Sequence, residues 1–163
     1  MPQPKGYSAA QIALHWIVAG LIVLQFVLHE PIAEAWDKFR DGVETAFNPV
    51  VALHVFGGIA VLLFALWRLV LRQTRGVPPA PAEEPAPLRL AAHVGHLALY
   101  ALMVLMPVSG AAAWFGGIDT AAEVHEAMKP ALLVLVGVHV AAAIWHQVWL
   151  KDNLMARMKR PLD

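Results

Sequence analysis

The sequence predicts an all-α membrane protein: four transmembrane helices running up-down-up-down as a single domain over residues 1–163. Three observations carry that prediction. Of the residues, 59% are hydrophobic and only 15% charged, against about 45–50% and about 25% in ordinary soluble domains. The apolar residues gather in four runs, each close to the roughly 20 residues a helix needs to cross a hydrocarbon core. Within a run they persist turn after turn without alternating, so none reads as a strand. A chain in lipid must satisfy its own backbone, which makes each run a helix.

The first span is placed at about 10–28. Lys5 precedes it and Ala33-Glu34-Ala35 follows, flanks that resemble a cleaved leader. The stretch is nevertheless longer than the about 7–15 apolar residues of a leader, and it carries His15 and Gln25, so it reads as a permanent helix. The second span falls at about 50–71, the third at about 90–115 and the fourth at about 127–150. Gly76 to Pro81, continuing to Pro85 and Pro87, forms a stiff connector between the second and third. Short connections make successive helices antiparallel neighbours.

Charge orients the bundle. Twelve Lys and Arg balance twelve Asp and Glu, which excludes a strongly basic nucleic-acid binder. The balance is an average of two unlike faces. Lys5, Arg68, Arg72, Arg75, Arg89, Lys151, Arg157, Lys159 and Arg160 lie at the termini and the second connector, with only Glu83, Glu84, Asp152 and Asp163 as acids there. The opposite side holds Lys38, Arg40 and Lys129 against Glu30, Glu34, Asp37, Asp41, Glu44, Asp119, Glu123 and Glu126. Both termini are therefore expected in the cytoplasm.

There is no cysteine, which excludes disulfides, thiolate metal sites, iron–sulfur clusters and covalent haem attachment. There are eight histidines, and all fall in or at the edge of the spans. Ionisable side chains in a span face the bundle interior and are functional candidates. His125 and His139 lie 14 residues apart, which returns to nearly the same helix face about 21 Å further along. No single ion reaches both. Two haems stacked across the membrane, each held through imidazole nitrogen, would use one apiece.

Depth sorts the partners. His54 enters the second helix from the outer side, level with His125, and this pair would hold an outer haem. His15 lies on the cytoplasmic side and meets either His139 or His146. Pairing His125 with His146 would spread the haems over about 31 Å, so His139 is the expected partner. Gly57, Gly58 and Gly137 sit near these histidines and would let a flat ring approach. Arg68 and Arg72 are candidate partners of haem propionates. Trp16, Trp67, Trp114, Trp145 and Trp149 mark an interfacial belt.

The strings Ala10-Gln11-Ile12-Ala13-Leu14-His15-Trp16, Leu53-His54-Val55, Ala92-His93-Val94-Gly95-His96, His125-Glu126, Gly137-Val138-His139 and Trp149-Leu150-Lys151-Asp152-Asn153 occur in order, at least one per helix. Together they resemble the bacterial cytochrome b561 family along essentially the whole chain. The resemblance implies a di-haem b protein of the inner membrane that exchanges electrons with quinone. One member type is a superoxide oxidase, taking an electron from superoxide at the outer surface and delivering it to ubiquinone. By position, it assigns His15 and His139 to one haem and His54 and His125 to the other.

The other histidines have several readings. His29, 14 residues after His15, is an alternative outer ligand. His93 and His96 share a face and would bond a propionate, serve a quinone or replace His15. His146, near Lys151 on the cytoplasmic side, is the expected quinone contact, since a quinone carbonyl needs a hydrogen-bond donor and its reduction a proton supply. Lys38, Arg40 and Lys129 would draw superoxide through an otherwise acidic face. The rival reading is an anchor and electron-relay subunit that docks a hydrogenase or dehydrogenase. A third is a histidine-lined metal or proton transporter.

Overall fold

Ser8 starts the first helix with a capping box. Its hydroxyl accepts from the Gln11 amide at 3.3 Å while the Gln11 side chain accepts from the Ser8 amide at 3.0 Å. In the computed structural model, which describes residues 4–44, 46–81 and 84–162, α1 then runs Ala9–Val27. Glu83 and Asp163, counted above among the cytoplasmic acids, lie outside the described residues. Pro31 has no N–H for the Val27 carbonyl and its ring crowds that group, so α1 stops there.

The chain does not enter a loop at this point. A separate amphipathic helix, α2 (His29–Arg40), occupies the connector, with Glu30 in its first turn and Lys38 and Arg40 in its last, each on the side that the helix dipole favours. It is too short and too polar to span, which is why a search for apolar runs passes over it.

Asn48 caps α3 (Pro49–Thr74) by accepting from the Val50 amide at 2.8 Å, and Pro49 fits the first turn, where its missing N–H costs nothing. Gly76, at φ 79°, turns the chain out of α3 into the proline connector. α4 (Ala86–Gly116) follows and ends at Gly117 in the left-handed conformation. α5 (Asp119–Trp145) passes into a π-helical turn at His146–Leu150 and, after Lys151 and Asn153 at positive φ, a 3₁₀ turn at Leu154–Met158.

Helices α1, α3, α4 and α5, the last with its π turn, are each long and apolar enough to cross a membrane. The fourth starts eight residues before the expected position, at Asp119 rather than about 127. Asp119 suits a helix N-terminus and Ala121 and Ala122 are strong helix formers, so α5 extends polar turns beyond its apolar run. Pro130 lies inside the helix without ending it. His125 and His139 therefore share one continuous helix.

The buried core is Val18, Val61, Ala65 and Met103, with Leu21, Ile22, Phe64, Leu99 and Tyr100 against it. All of these belong to α1, α3 and α4. α5 packs mainly on α4, has no extended contact with α1 or α3, and buries only Leu132. The helix that carries two candidate ligands thus stands off from the helices that carry their partners.

At one end the tail folds back over the bundle. The Trp16 indole donates to the Met158 carbonyl at 2.8 Å, Arg157 to the Pro79 carbonyl at 2.6 Å and the Leu162 amide to the Tyr7 carbonyl at 3.3 Å. Both termini and the α3–α4 connector meet there. This is called the inner end below, and the opposite one the outer end.

Candidate functional site

At the outer end a cavity of about 400 Å³ opens between α1, α2, α3, α4 and α5, and His29, His54 and His125 all line it. His125 is held in one tautomer. Its Nδ1 donates to the Met106 carbonyl of α4 at 2.8 Å, an oxygen that also accepts from the Ser109 hydroxyl at 2.9 Å. That leaves Nε2 as the free lone pair, the arrangement metal-ligating histidines adopt. Gly110 makes it fit, since a Cβ there would lie 3.0 Å from the ring. On α3, His54 has a buried Nδ1 with no hydrogen-bond partner, and the Gln25 amide nitrogen beside it is likewise unpaired.

Several of the other outer groups pair with one another. Lys129 donates to His29 Nε2 at 2.6 Å and pairs with Glu126 at 2.7 Å. His29 Nε2 is thus occupied by the Lys129 ammonium. Arg40 pairs with Asp119 at 3.7 Å. Lys38 pairs with Glu34 at 2.6 Å and lines a different pocket with Phe47 and Asn48. Of the three cations expected to form one funnel, only Arg40 and Lys129 border the cavity, and each has an acid against it.

At the inner end His15 of α1 faces His139 of α5 with ring centroids 6.1 Å apart. One metal ion bonded at about 2 Å to each ring fits that separation. His96 of α4 lies 5.4 Å from His139, edge to face, and its Nδ1 donates to the Ala92 carbonyl at 2.7 Å. His93, one turn earlier, is exposed. Arg68 donates to His15 Nδ1 at 3.2 Å and lies over the Tyr100 ring at 5.4 Å. Arg72 acts on the Tyr7 hydroxyl, whose pKa is raised by burial against the opposing pull of that guanidinium.

His146 lies two turns beyond His139. Its Nδ1 donates to Asp152 at 2.5 Å, while its Nε2 is 3.7 Å from Glu84 in the proline connector. Lys151, at φ 52° and exposed, turns the chain that brings Asp152 back to the ring.

The glycines divide. Gly58 borders the outer cavity and a Cβ at Gly137 would meet nothing, so both leave room for a flat group. Gly57 is filled by Gln25 instead. Gly110, Ser109 and the Glu84–Asp152 pair are features that the histidine pattern alone does not reveal. Gln25 carried a signal, as a polar side chain within a span, and Gly110 a weaker one, as a small residue level with His125.

The residues present fit the two planar, imidazole-held groups expected from the sequence. The opposed rings, the unpaired His54 nitrogen, the oriented His125 and the stand-off of α5 agree on this.

The family profile of prokaryotic cytochrome b561 matches residues 6–161. A protein named cytochrome b562 from Cereibacter sphaeroides is 40% identical over 99% of both chains. A probable superoxide oxidase, CybB, from Yersinia pestis is 28% identical over 94% of this chain and 96% of its own. Cytochrome b561 homolog 2 of Escherichia coli is 26% identical over 95% and 92%. The chain therefore belongs to the prokaryotic cytochrome b561 family, multi-pass membrane proteins that transfer electrons on haem b.

Proposed function

We propose that this protein is a di-haem cytochrome b of the bacterial inner membrane, with both termini in the cytoplasm, that passes electrons from superoxide on the outer side to membrane ubiquinone. One observation carries the proposal: α5 presents His125 and His139 14 residues apart, one beside the outer cavity and one against His15. The overall change is two superoxide anions, one quinone and two protons giving two dioxygen molecules and one quinol, an oxidoreductase reaction.

Bound haem supplies reversible one-electron chemistry at iron. His54 and His125 would hold it at the outer end, and His15 and His139 at the inner end. Met106 fixes His125 with Nε2 facing outward for ligation. Were His15 to hold the haem through Nε2, its Nδ1 would become a donor, and Arg68 would leave that nitrogen and be available, with Arg72, to an anionic propionate. His96 and His93 stand beside this pair on α4 as further polar partners. His146 donates a hydrogen bond to a quinone carbonyl, with Lys151 beside it at the membrane surface. Lipid covers the remaining apolar faces of the four spans.

Arg40 and Lys129 stand at the mouth of the outer cavity and attract the anionic donor; Lys38 adds charge from the far side of α2. Their acid partners weaken that attraction, so its strength is tunable. A reduced-minus-oxidised spectrum of the purified protein is expected to show haem b bands that superoxide elicits and ubiquinone removes. Glu126→Gln is expected to speed superoxide oxidation a few-fold at low salt, and Lys129→Gln to slow it, both differences closing as salt rises. Rates independent of these charges reject superoxide as the donor. The second reading, an anchor and relay subunit docking a redox protein, draws on the same neutralised cations, which leave a net acidic outer face suited to a basic partner. Co-purification of a large redox subunit, with no response to superoxide, selects it.

A further inference from the structure

The inner end contains a cluster that holding a haem does not require. His146 lies between two carboxylates from different segments: Asp152 on Nδ1 at 2.5 Å, and Glu84 3.7 Å from Nε2. The Glu84 side chain is 9% exposed and that of His146 12%, while Asp152 is 19% exposed. An acid so covered, in a connector of prolines, needs a reason to be there. Metal binding does not supply it, because no group of three histidine or acidic side chains among the described residues is arranged to hold an ion.

The proposed reaction sets a requirement that this cluster meets. Reducing a quinone to a quinol consumes two electrons and two protons, and the electrons arrive singly. One imidazolium delivers one proton. The second requires that the same nitrogen be reloaded from a group that touches both the imidazole and the aqueous phase. We propose that Glu84 is that group: a proton donor that reloads His146 Nε2 from the cytoplasmic side between the two protonations of the bound quinone, while Asp152 holds the ring.

The two carboxylates are unlike in the way the relay needs. Burial raises the Asp152 pKa, but the bond from His146, the Leu154 amide at 3.0 Å and the charge of Arg157 outweigh it and hold the group below its usual value. Asp152 stays anionic, keeps the proton on Nδ1 and leaves Nε2 as the exchanging position. Glu84 makes no hydrogen bond to the ring at 3.7 Å, so it is free to approach, transfer and withdraw. The proton passes from the Glu84 carboxyl to Nε2, from Nε2 to the reduced quinone oxygen, and from water to Glu84. The cluster itself supplies no electrons; those would come from the bound haem. The charged groups facing the ring are Glu84 from the connector and Asp152 beyond the π turn, with Arg157 of the tail acting on Asp152.

This inference rests on the reading of quinone as the inner acceptor, and its test separates the two. The haem-loaded full-length protein is reduced, then reoxidised by decylubiquinone, which takes up protons, or by ferricyanide, which does not. Glu84→Gln is expected to slow the decylubiquinone reaction on the order of 10²-fold, the scale of one general acid. Ferricyanide reoxidation should be unchanged, and Glu84→Asp should recover most of the quinone rate. Equal slowing with both oxidants, or no slowing with either, overturns the relay. His146→Ala provides the separation. If it leaves the quinone rate intact, the inner quinone site itself is wrong; if it slows that rate while Glu84→Gln does not, only the relay falls. Should Glu84→Gln fail to load haem, Glu84→Asp carries the same comparison with a smaller deficit.

Discussion

The two ends of the bundle hold histidines by different means. At the outer end His125 is oriented by a backbone carbonyl of the adjacent helix, and Gly110 supplies the room. At the inner end His15 is held by the Arg68 guanidinium, His96 crowds the pair, and the C-terminal tail is latched across the same end. A carbonyl within a helix moves only with its helix, whereas an arginine side chain reorients on its own. The outer site is therefore set by how α4 and α5 pack, and the inner site by side chains and a tail that can rearrange.

The largest effect should come from removing one proposed ligand at each end. His125→Ala and His139→Ala are each expected to lower haem b per chain by about half, since on the proposed reading each removes one of the two histidines that would hold a single haem. The spectra should differ in which component remains, and a pyridine-haemochrome assay against protein concentration measures the loss. If either variant loses all haem, the ends are coupled through α5 and the contrast between them is lost.

A smaller effect isolates the backbone term. Gly110→Ala places a methyl 3.0 Å from the His125 ring, so the ring must leave the Met106 carbonyl or α4 must move away from α5. Overpacking of this kind costs about 1–3 kcal/mol. The outer haem signal should shift or weaken while the inner one is retained. Ser109→Ala removes a hydroxyl that donates to the same carbonyl and lies 3.4 Å from His125 Nδ1, but it leaves the shorter Met106–His125 bond in place, so its effect should be below that of Gly110→Ala. Equal effects would mean that the carbonyl does not orient the ring.

Much of this was legible in the sequence because membrane physics writes in long, unambiguous runs. The four spans follow from hydropathy alone, and the His125–His139 interval from helix geometry. What escaped lies where those rules do not reach. α2 is a helix of amphipathic pattern in a stretch too polar to span, and Asp119 to Glu126 is helical because of the acid in its first turn and its alanines rather than its hydropathy. The Met106–His125 bond joins residues 19 apart on two helices, a matter of crossing geometry that no spacing encodes. The surroundings of Lys38 were hidden for a related reason. Sidedness put it with Arg40 and Lys129, but rotation about α2 faces it toward Glu34 and a separate pocket.

The smallest effect concerns the inner latch, which has no outer counterpart among the described residues and is bracketed by two titrations. The Asp152 carboxyl is held below its ordinary 3.8. A depressed acid contributes stability that is full above its unfolded pKa and is lost as pH falls through the folded value, so this part of the latch weakens only below about pH 4. Tyr7, whose carbonyl accepts from Leu162, is half-buried and has its hydroxyl pKa raised above 10.0 by that burial. Its neutral form is the one the fold favours, so its contribution is intact below pH 10 and disappears as pH rises through the raised value. Trp16, bonded to the tail at Met158, reports both transitions by fluorescence once the other tryptophans are replaced. Asp152→Asn should abolish the acid step and leave the alkaline one, and Tyr7→Phe the reverse. Neither step should alter the outer haem spectrum, because the tail is latched only at the inner end; a matching outer change would mean that α5 transmits the latch to His125.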